Sequence, residues 1–198
     1  MKYGLFFKNT SFSVPKKEIM SSDFLLGEIA TLERIIKQEL VDSSRCVPVV
    51  SAFLGAKKLS IKRAEMQYIF STLPVKEILY CFDIKNIKFG FFEKFQEEIN
   101  ILAEENNQIG IILYLPLDCF SAFELDQVLQ FLSRKPTSLM VFIEGELDLP
   151  EKTYRSLSKI LRHIEVGKVQ CLFRNWERML LASPSVSKMG IQKIAYFK

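Results

Sequence analysis

Glycine is scarce in this chain, with eight among 198 residues, against an ordinary share of about 7%. Loops that cradle phosphates consume glycine, because backbone amides come close to an anion only where no Cβ intervenes. Neither G-x-x-x-x-G-K-[ST] nor G-x-G-x-x-G occurs, so nucleotide binding by either familiar route is not expected. A G-x-S-x-G elbow is also missing, which argues against the commonest α/β hydrolase plan.

Histidine is scarcer still, with His163 alone, and the four cysteines Cys46, Cys81, Cys119 and Cys171 stand far apart with no C-x-x-C pair. A structural zinc site needs about four nitrogen or sulfur ligands at close spacing, so no metal is expected. No cofactor is expected either. Three of the cysteines fall in or beside apolar segments, where a reduced thiol behaves as a small hydrophobe. No apolar run approaches the roughly 18 to 20 residues that span a bilayer, and the run before Lys8 is too short for a signal segment. A cytoplasmic location is expected.

The net charge of +4 and pI near 8.8 permit an anionic partner without demanding one. Hydrophobic residues at 48% and charged residues at 25%, with no low-complexity tract, describe a chain that folds, and one α/β domain is expected over residues 1–198.

From residue 76 onward the order is regular, whereas residues 1–75 are less so. "ILYCFDI" (78–84) reads as a strand, and "FGFFEKFQEEINILAEEN" after it places Phe92, Phe95, Ile99 and Leu102 at helical spacing. "IGIILYLP" (109–116) is a nearly continuous apolar strand ending at Pro116, and Ser121 with Glu124 forms a capping box for the next helix. "TSLMVFIEG" (137–145) is another strand, and Asp148, Pro150 and Glu151 open a helix whose apolar stripe is Tyr154, Leu157, Leu161 and Ile164. Gly167 ends that helix, "KVQCLF" returns as a strand, Asn175 caps "WERMLLA", and "IQKIAYF" closes the chain. Earlier, "YGLFF" and "RCVPVVSAFL" read as strands, with "SSDFLLGEIATLERIIKQEL" and "IKRAEMQYIFSTL" as helices.

Continuous apolar strands separated by single amphipathic helices indicate a parallel sheet covered on both faces. About seven strands are counted. An open doubly wound sheet fits that count, as does a small or incomplete (β/α) barrel, and the length favours the open sheet because a complete barrel usually takes about 250 residues.

In either architecture a ligand lies at the carboxyl ends of the strands. The polar residues just beyond them include Asp83, Asp118, Cys119, Glu144 and Arg174, which form the candidate set if the protein is an enzyme acting on an anionic small molecule. Cys119 precedes a helix N-terminus, which favours a thiolate, but His163 is placed at the far end of another helix, so a Cys–His pair is geometrically awkward. Glu144, Glu146 and Asp148 are acids suited to a cation or to proton transfer, with solvated loop acids as the simpler reading.

Lys152, Arg155, Lys159 and Arg162 recur at spacings of three and four on one helix, giving a basic ridge that could grip an acidic protein or nucleic acid, more firmly if "KKLSIKR" (57–63) lay beside it. Phenylalanine is abundant, at 17 residues, and Phe89, Phe91, Phe92 and Phe95 cannot share one helix face. Phe89 and Phe91 are therefore candidates for an exposed docking surface. Glycine-poor, non-convergent loops on a competent scaffold lead to a non-catalytic domain that binds another protein, as a regulator or an assembly component built on a degenerate enzyme fold. The enzyme reading stands second and nucleic-acid binding third.

Overall fold

Eight short strands alternate with helices along the chain. The computed structural model describes residues 1–7, 15–51, 55–105, 109–135, 138–143 and 151–197, without the side chains of residues 103–105 and 152. The strands are β1 (Lys2–Phe7), β2 (Phe24–Gly27), β3 (Cys46–Val50), β4 (Glu77–Tyr80), β5 (Gly110–Pro116), β6 (Ser138–Ile143), β7 (Val169–Phe173) and β8 (Lys193–Phe197). The helices are α1 (Lys16–Ser21), α2 (Ile29–Lys37), α3 (Leu59–Thr72), α4 (Ile84–Lys88), α5 (Phe92–Glu105), α6 (Ala122–Leu132), α7 (Glu151–His163) and α8 (Trp176–Lys188). Every neighbouring pair of strands is parallel. The last strand also pairs with the first, from Lys2 with Lys193 to Phe6 with Phe197, so the sheet closes into an eight-stranded barrel.

This corrects the expectation of an open seven-stranded sheet; the barrel, complete rather than partial, is the architecture. The missing strand lay inside a segment that reads as one helix. Phe24–Gly27 is only four residues long and buried throughout, with Leu25 in the layer under the helices and Phe24 and Leu26 inside the barrel. A four-residue apolar run carries no period of its own, and its apolar residues continue the helical spacing of α2 behind it. Closure removes both sheet edges, and it fits into this length because β2 and β4 have four residues each.

Strand alternation divides the apolar residues into two clusters. One, drawn from all eight strands and including Phe6, Leu26, Val49, Leu79, Tyr114, Met140, Leu172 and Ala195, fills the barrel. The other packs outward-facing strand residues such as Leu5, Leu25, Val50 and Ile78 against Leu32, Met66, Phe95, Val128, Leu157 and Met179 of the helices. At the amino-terminal mouth Lys193 Nζ lies 3.6 Å from Glu77 Oε2, linking opposite strands.

Local signals performed as their chemistry demands. Ser121 accepts from the Glu124 amide while the Glu124 carboxylate accepts from the Ser121 amide, completing the capping box of α6. Asn175 caps α8 through the Arg178 amide. In α7 Leu157 and Ile160 are buried, with Ile164 just beyond its end, whereas Tyr154 is exposed and Leu161 only half-buried, so the stripe runs slightly off the predicted line. Gly90, at φ 77°, separates α5, the helix predicted from "FGFFEKF" onward, from the short helix α4, which was not predicted. Asp148 and Pro150, predicted to open α7, lie outside the described residues.

Gly55 adopts φ +63°, and a Cβ there would stand 1.9 Å from the Phe82 carbonyl oxygen. Both the backbone conformation and the contact demand glycine. Gly55→Ala is expected to cost about 2–4 kcal/mol, from positive φ together with overpacking against a main-chain atom, measured by urea unfolding; a loss within experimental error would show that Gly55 does not seat against the Phe82 main chain.

Candidate active site

The carboxyl-terminal mouth of the barrel is closed by side chains. Phe6 and Phe197 meet edge to face at 4.5 Å, Phe142 meets Phe197 at 5.3 Å, and Tyr114 stacks on Phe142 at 6.1 Å between centroids. Cys81 and Leu172 belong to the same inner cluster, so among the described residues the barrel wall brings no charge to its own mouth. Polar chemistry on this rim is carried by the loops and helix starts instead.

The densest such place lies above β3 and β4. Ala56, Lys57, Lys58 and Leu59 at the start of α3, Asp83 and Asn86 at α4, and Lys94, Glu97 and Glu98 on α5 line a cavity of about 320 Å³, with Lys62 at its inner wall. Lys62 is 1% exposed and Glu98 5%. Their charges are paired at 2.5 Å between Nζ and Oε1. Lys62 Nζ also donates to the Cys81 carbonyl at 3.1 Å, the Tyr80 hydroxyl donates to Glu98 Oε1 at 2.7 Å, and the Asp83 amide donates to Glu98 Oε2 at 3.3 Å. Removal from water makes an unpaired charge costly and a fully bonded pair tolerable, which is why both groups carry several partners.

The network is built by three elements. Lys62 occupies the same buried helical line as Met66 and Ile69, and Glu98 shares the buried line of Phe95 and Leu102. Each is a charge set in an apolar stripe, and Tyr80 of β4 lies between the helices that carry them. That pattern is readable in the sequence but counts for little until the two helices are known to flank the same strand. Ser51, Tyr80 and Glu98 were not among the sequence candidates, and Lys62 figured only as one charge of the 57–63 basic cluster.

Ser51, at the end of β3, holds φ 57° and is buried. Its amide donates to Glu65 Oε2 at 3.0 Å, and Glu65 in turn pairs with Lys57 on the cavity wall. A non-glycine residue in this conformation marks a locally strained turn held by its surroundings. Asp83 caps α4 by accepting from the Lys85 amide at 3.0 Å through Oδ1, leaving Oδ2 as the oxygen available to a bound hydroxyl.

A second rim cavity, about 390 Å³, opens between α6 and α7 and is lined by Asp118, Ser121, Thr153, Arg155, Ser156 and Lys159, among others. It brings an acid of the predicted edge set together with two members of the predicted basic ridge. The ridge is partly neutralised: Arg155 pairs with Glu151, and Lys159 pairs with Asp126 while reaching the Ala122 carbonyl at 3.4 Å. Arg162 is exposed, and the Lys152 side chain lies outside the described residues. The 57–63 cluster sits on α3, separated from α7 around the barrel by α5 and α6, so the two basic segments do not form one surface.

The five predicted edge residues do not converge. Asp83 and Asp118 line different cavities, Cys119 is half-buried in the short turn after β5, Arg174 is exposed after β7, and Glu144 lies outside the described residues, as does Glu146. His163 is in the last turn of α7, at the opposite end of the barrel from Cys119. Burial pushes the Cys171 thiol up to about 12 and the Cys46 thiol up to about 11, which keeps both protonated and inert. Phe89 and Phe91 are 69% and 52% exposed, as expected for aromatics that the core cannot take, and Phe123 at the start of α6 is exposed as well.

Two outcomes test this description. Lys62→Met alone, or Glu98→Leu alone, should destabilise the fold by about 3–5 kcal/mol by stranding the other charge, whereas the double replacement should recover most of that loss; additive losses in chemical denaturation would contradict the paired network. Glu124 is held down at about 2, first by the Ser121 amide and then by Lys88, whose Nζ is 2.9 Å away. A depressed carboxylate contributes stability that is present above its unfolded value, near 4.5, and lost as pH falls toward the folded value. The advantage of wild type over Glu124→Gln, about 0.5–1 kcal/mol at neutral pH, should therefore shrink between pH 4.5 and pH 2, and a constant difference across that window would count against it.

No family model matches this sequence, and no curated protein matches it. Among solved structures the chain is similar to the crystal structure of the apo form of "a putative deoxyribose-phosphate aldolase" from Toxoplasma gondii ME49, with a TM-score of 0.66 and 11% identity over 99% of this chain and 88% of that one. At that identity the fold is what the two share. The match also corrects the expectation of a non-catalytic regulator or assembly component working through protein contacts, because the similar barrel is described as an enzyme.

Proposed function

We propose that this barrel is an enzyme acting on a small anionic molecule at the carboxyl end of the strands, with the cavity above β3 and β4 as its site. The observation that carries this reading is the gathering of Lys57, Lys58, Lys62 and Lys94 with Asp83 around one cavity. Lys62 is committed to Glu98 and Lys57 pairs with Glu65, so the anion is met by Lys58 and Lys94 together with the first amides of α3, a helix whose Lys58 cap provides no side-chain acceptor. Asp83 serves as the proton-transfer group. The similar solved chain supports the substrate class, since deoxyribose phosphate is itself a small anion. Among the described residues the barrel wall offers no lysine at the mouth for a Schiff base, so an amine taking part in carbonyl chemistry has to come from the rim lysines.

The test combines binding and turnover. Inorganic phosphate and deoxyribose 5-phosphate should raise the thermal midpoint saturably, and replacing Lys58 and Lys94 by alanine should weaken binding about fivefold or more, at roughly 0.5–1 kcal/mol for each solvent-screened contact. In a screen of phosphorylated aldehydes and sugars followed by NMR, Asp83→Asn should bind but turn over about a hundredfold more slowly. Absence of any saturable shift with phosphate monoesters at millimolar concentration would overturn the proposal.

A further inference from the structure

The cavity above β3 and β4 is lined by two kinds of polar group, those already bonded within the protein and those that are not. Lys62 and Glu98 satisfy each other and the chain around them, and Lys57 pairs with Glu65. The α4 side is different. Asp83 is the N-cap of α4, Asn86 stands three residues on in the same turn, and both are half-buried residues of the cavity lining.

A residue three beyond an N-cap ordinarily turns its side chain back to the N-cap amide and completes a capping box, as Glu124 does toward Ser121 in α6. That role is closed to Asn86. The Asp83 amide already donates to Glu98 Oε2 at 3.3 Å, and Asp83 Oδ1 accepts from the Lys85 amide at 3.0 Å. The Asn86 main-chain amide is spent on the Asp83 carbonyl at 3.1 Å, whereas its carboxamide has no hydrogen-bond partner among the described residues. The turn therefore carries an unspent carboxamide beside a carboxylate with one free oxygen.

A carboxylate only accepts hydrogen bonds and an ammonium only donates them, but a carboxamide does both. A hydroxyl is its complement, since it accepts from the Asn86 NH2 while donating to Asp83 Oδ2 or to the Asn86 oxygen. Side chains three apart on a turn stand about 5–6 Å apart at Cβ, a span that two hydroxyls on adjacent carbons bridge. An ammonium group would suit Asp83 and the exposed Glu97, but it would leave the Asn86 NH2 unmet and would stand against Lys94 on the same cavity. A second anionic group would be repelled by Asp83 and Glu97. Resting on the reading of this cavity as the active site, we propose that Asn86 determines its specificity. With Asp83 it holds two hydroxyls on adjacent carbons, so the substrate is a phosphorylated polyol or sugar whose phosphate is met by Lys58, Lys94 and the first amides of α3.

Glycerol 3-phosphate and n-propyl phosphate share one ester and one carbon chain and differ only in two adjacent hydroxyls. Titrated calorimetrically into the full chain at constant ionic strength, glycerol 3-phosphate should bind about five- to tenfold more tightly than n-propyl phosphate. Asn86→Ala should bring that ratio close to unity with n-propyl phosphate still bound, and Asn86→Gln, which keeps the carboxamide, should retain part of the preference. A role confined to folding would weaken both esters alike and leave the ratio intact, which would overturn the proposal. Equal binding of the two esters by the wild type would also overturn it while leaving the anion site standing, and that comparison decides the matter even if Asn86→Ala does not fold. Failure of both esters and of inorganic phosphate to bind would overturn the active-site reading, and this inference with it.

Discussion

Pairing of the first strand with the last is the constraint on which the rest of this structure depends. Five residues of β1, Lys2 to Phe6, lie in parallel register with Lys193 to Phe197 of β8. Without that seam the sheet would have two open edges and no distinction between inside and outside. With it, alternate residues of every strand are committed to a closed interior, and the intervening residues to the layer beneath the helices. The loop entropy of joining chain ends so far apart is offset by burial on both faces of every strand.

Closure also decides where chemistry can occur. An interior filled by Phe6, Tyr114, Phe142 and Phe197 at its carboxyl mouth pushes polar function outward, to the loops and helix starts around the rim. There the Lys62–Glu98 pair acts as a fixed support: it ties α3 to α5 across Tyr80 and the main chain at Cys81 and Asp83. The lysines on the cavity wall are thus carried on helices whose relative position is set by a buried charge pair, and a buried pair specifies geometry because almost any other arrangement leaves a charge unsatisfied. The contacts of Trp176 with Tyr3 and Tyr196 depend on the same closure, since Tyr3 and Tyr196 come from β1 and β8.

Much of the fold was legible. Seven of the eight strands, the capping box at Ser121 and Glu124, and the Asn175 cap follow from apolar runs and short-range hydrogen-bond chemistry, which act over a few residues and therefore leave a local mark. The strand Phe24–Gly27 did not, because four apolar residues ahead of an amphipathic helix look like that helix's first turn. The candidate site was legible only in fragments. Asp83 and the 57–63 lysines were recognised separately, and Asp118 and Cys119 were grouped with Asp83 although the barrel assigns Asp118 to another cavity. The partners Lys62 and Glu98 went unnoticed as such, since a charge within an apolar stripe has no meaning until its counter-charge is in view.

The sequence by itself determined the class of the protein: parallel strands alternating with helices, buried thiols without a metal pattern, and loops too poor in glycine for the familiar phosphate-binding turns. Those properties depend on residue type and on neighbours within a turn or two of the chain. Tertiary structure alone decided that the sheet closes, that the eighth strand exists, which acids share a cavity with which lysines, and that aromatic rings from opposite ends of the chain stand side by side. Such pairings join residues up to nearly the full chain apart, and no local preference encodes them; they follow from strand register, which is settled only when every strand has found both of its neighbours.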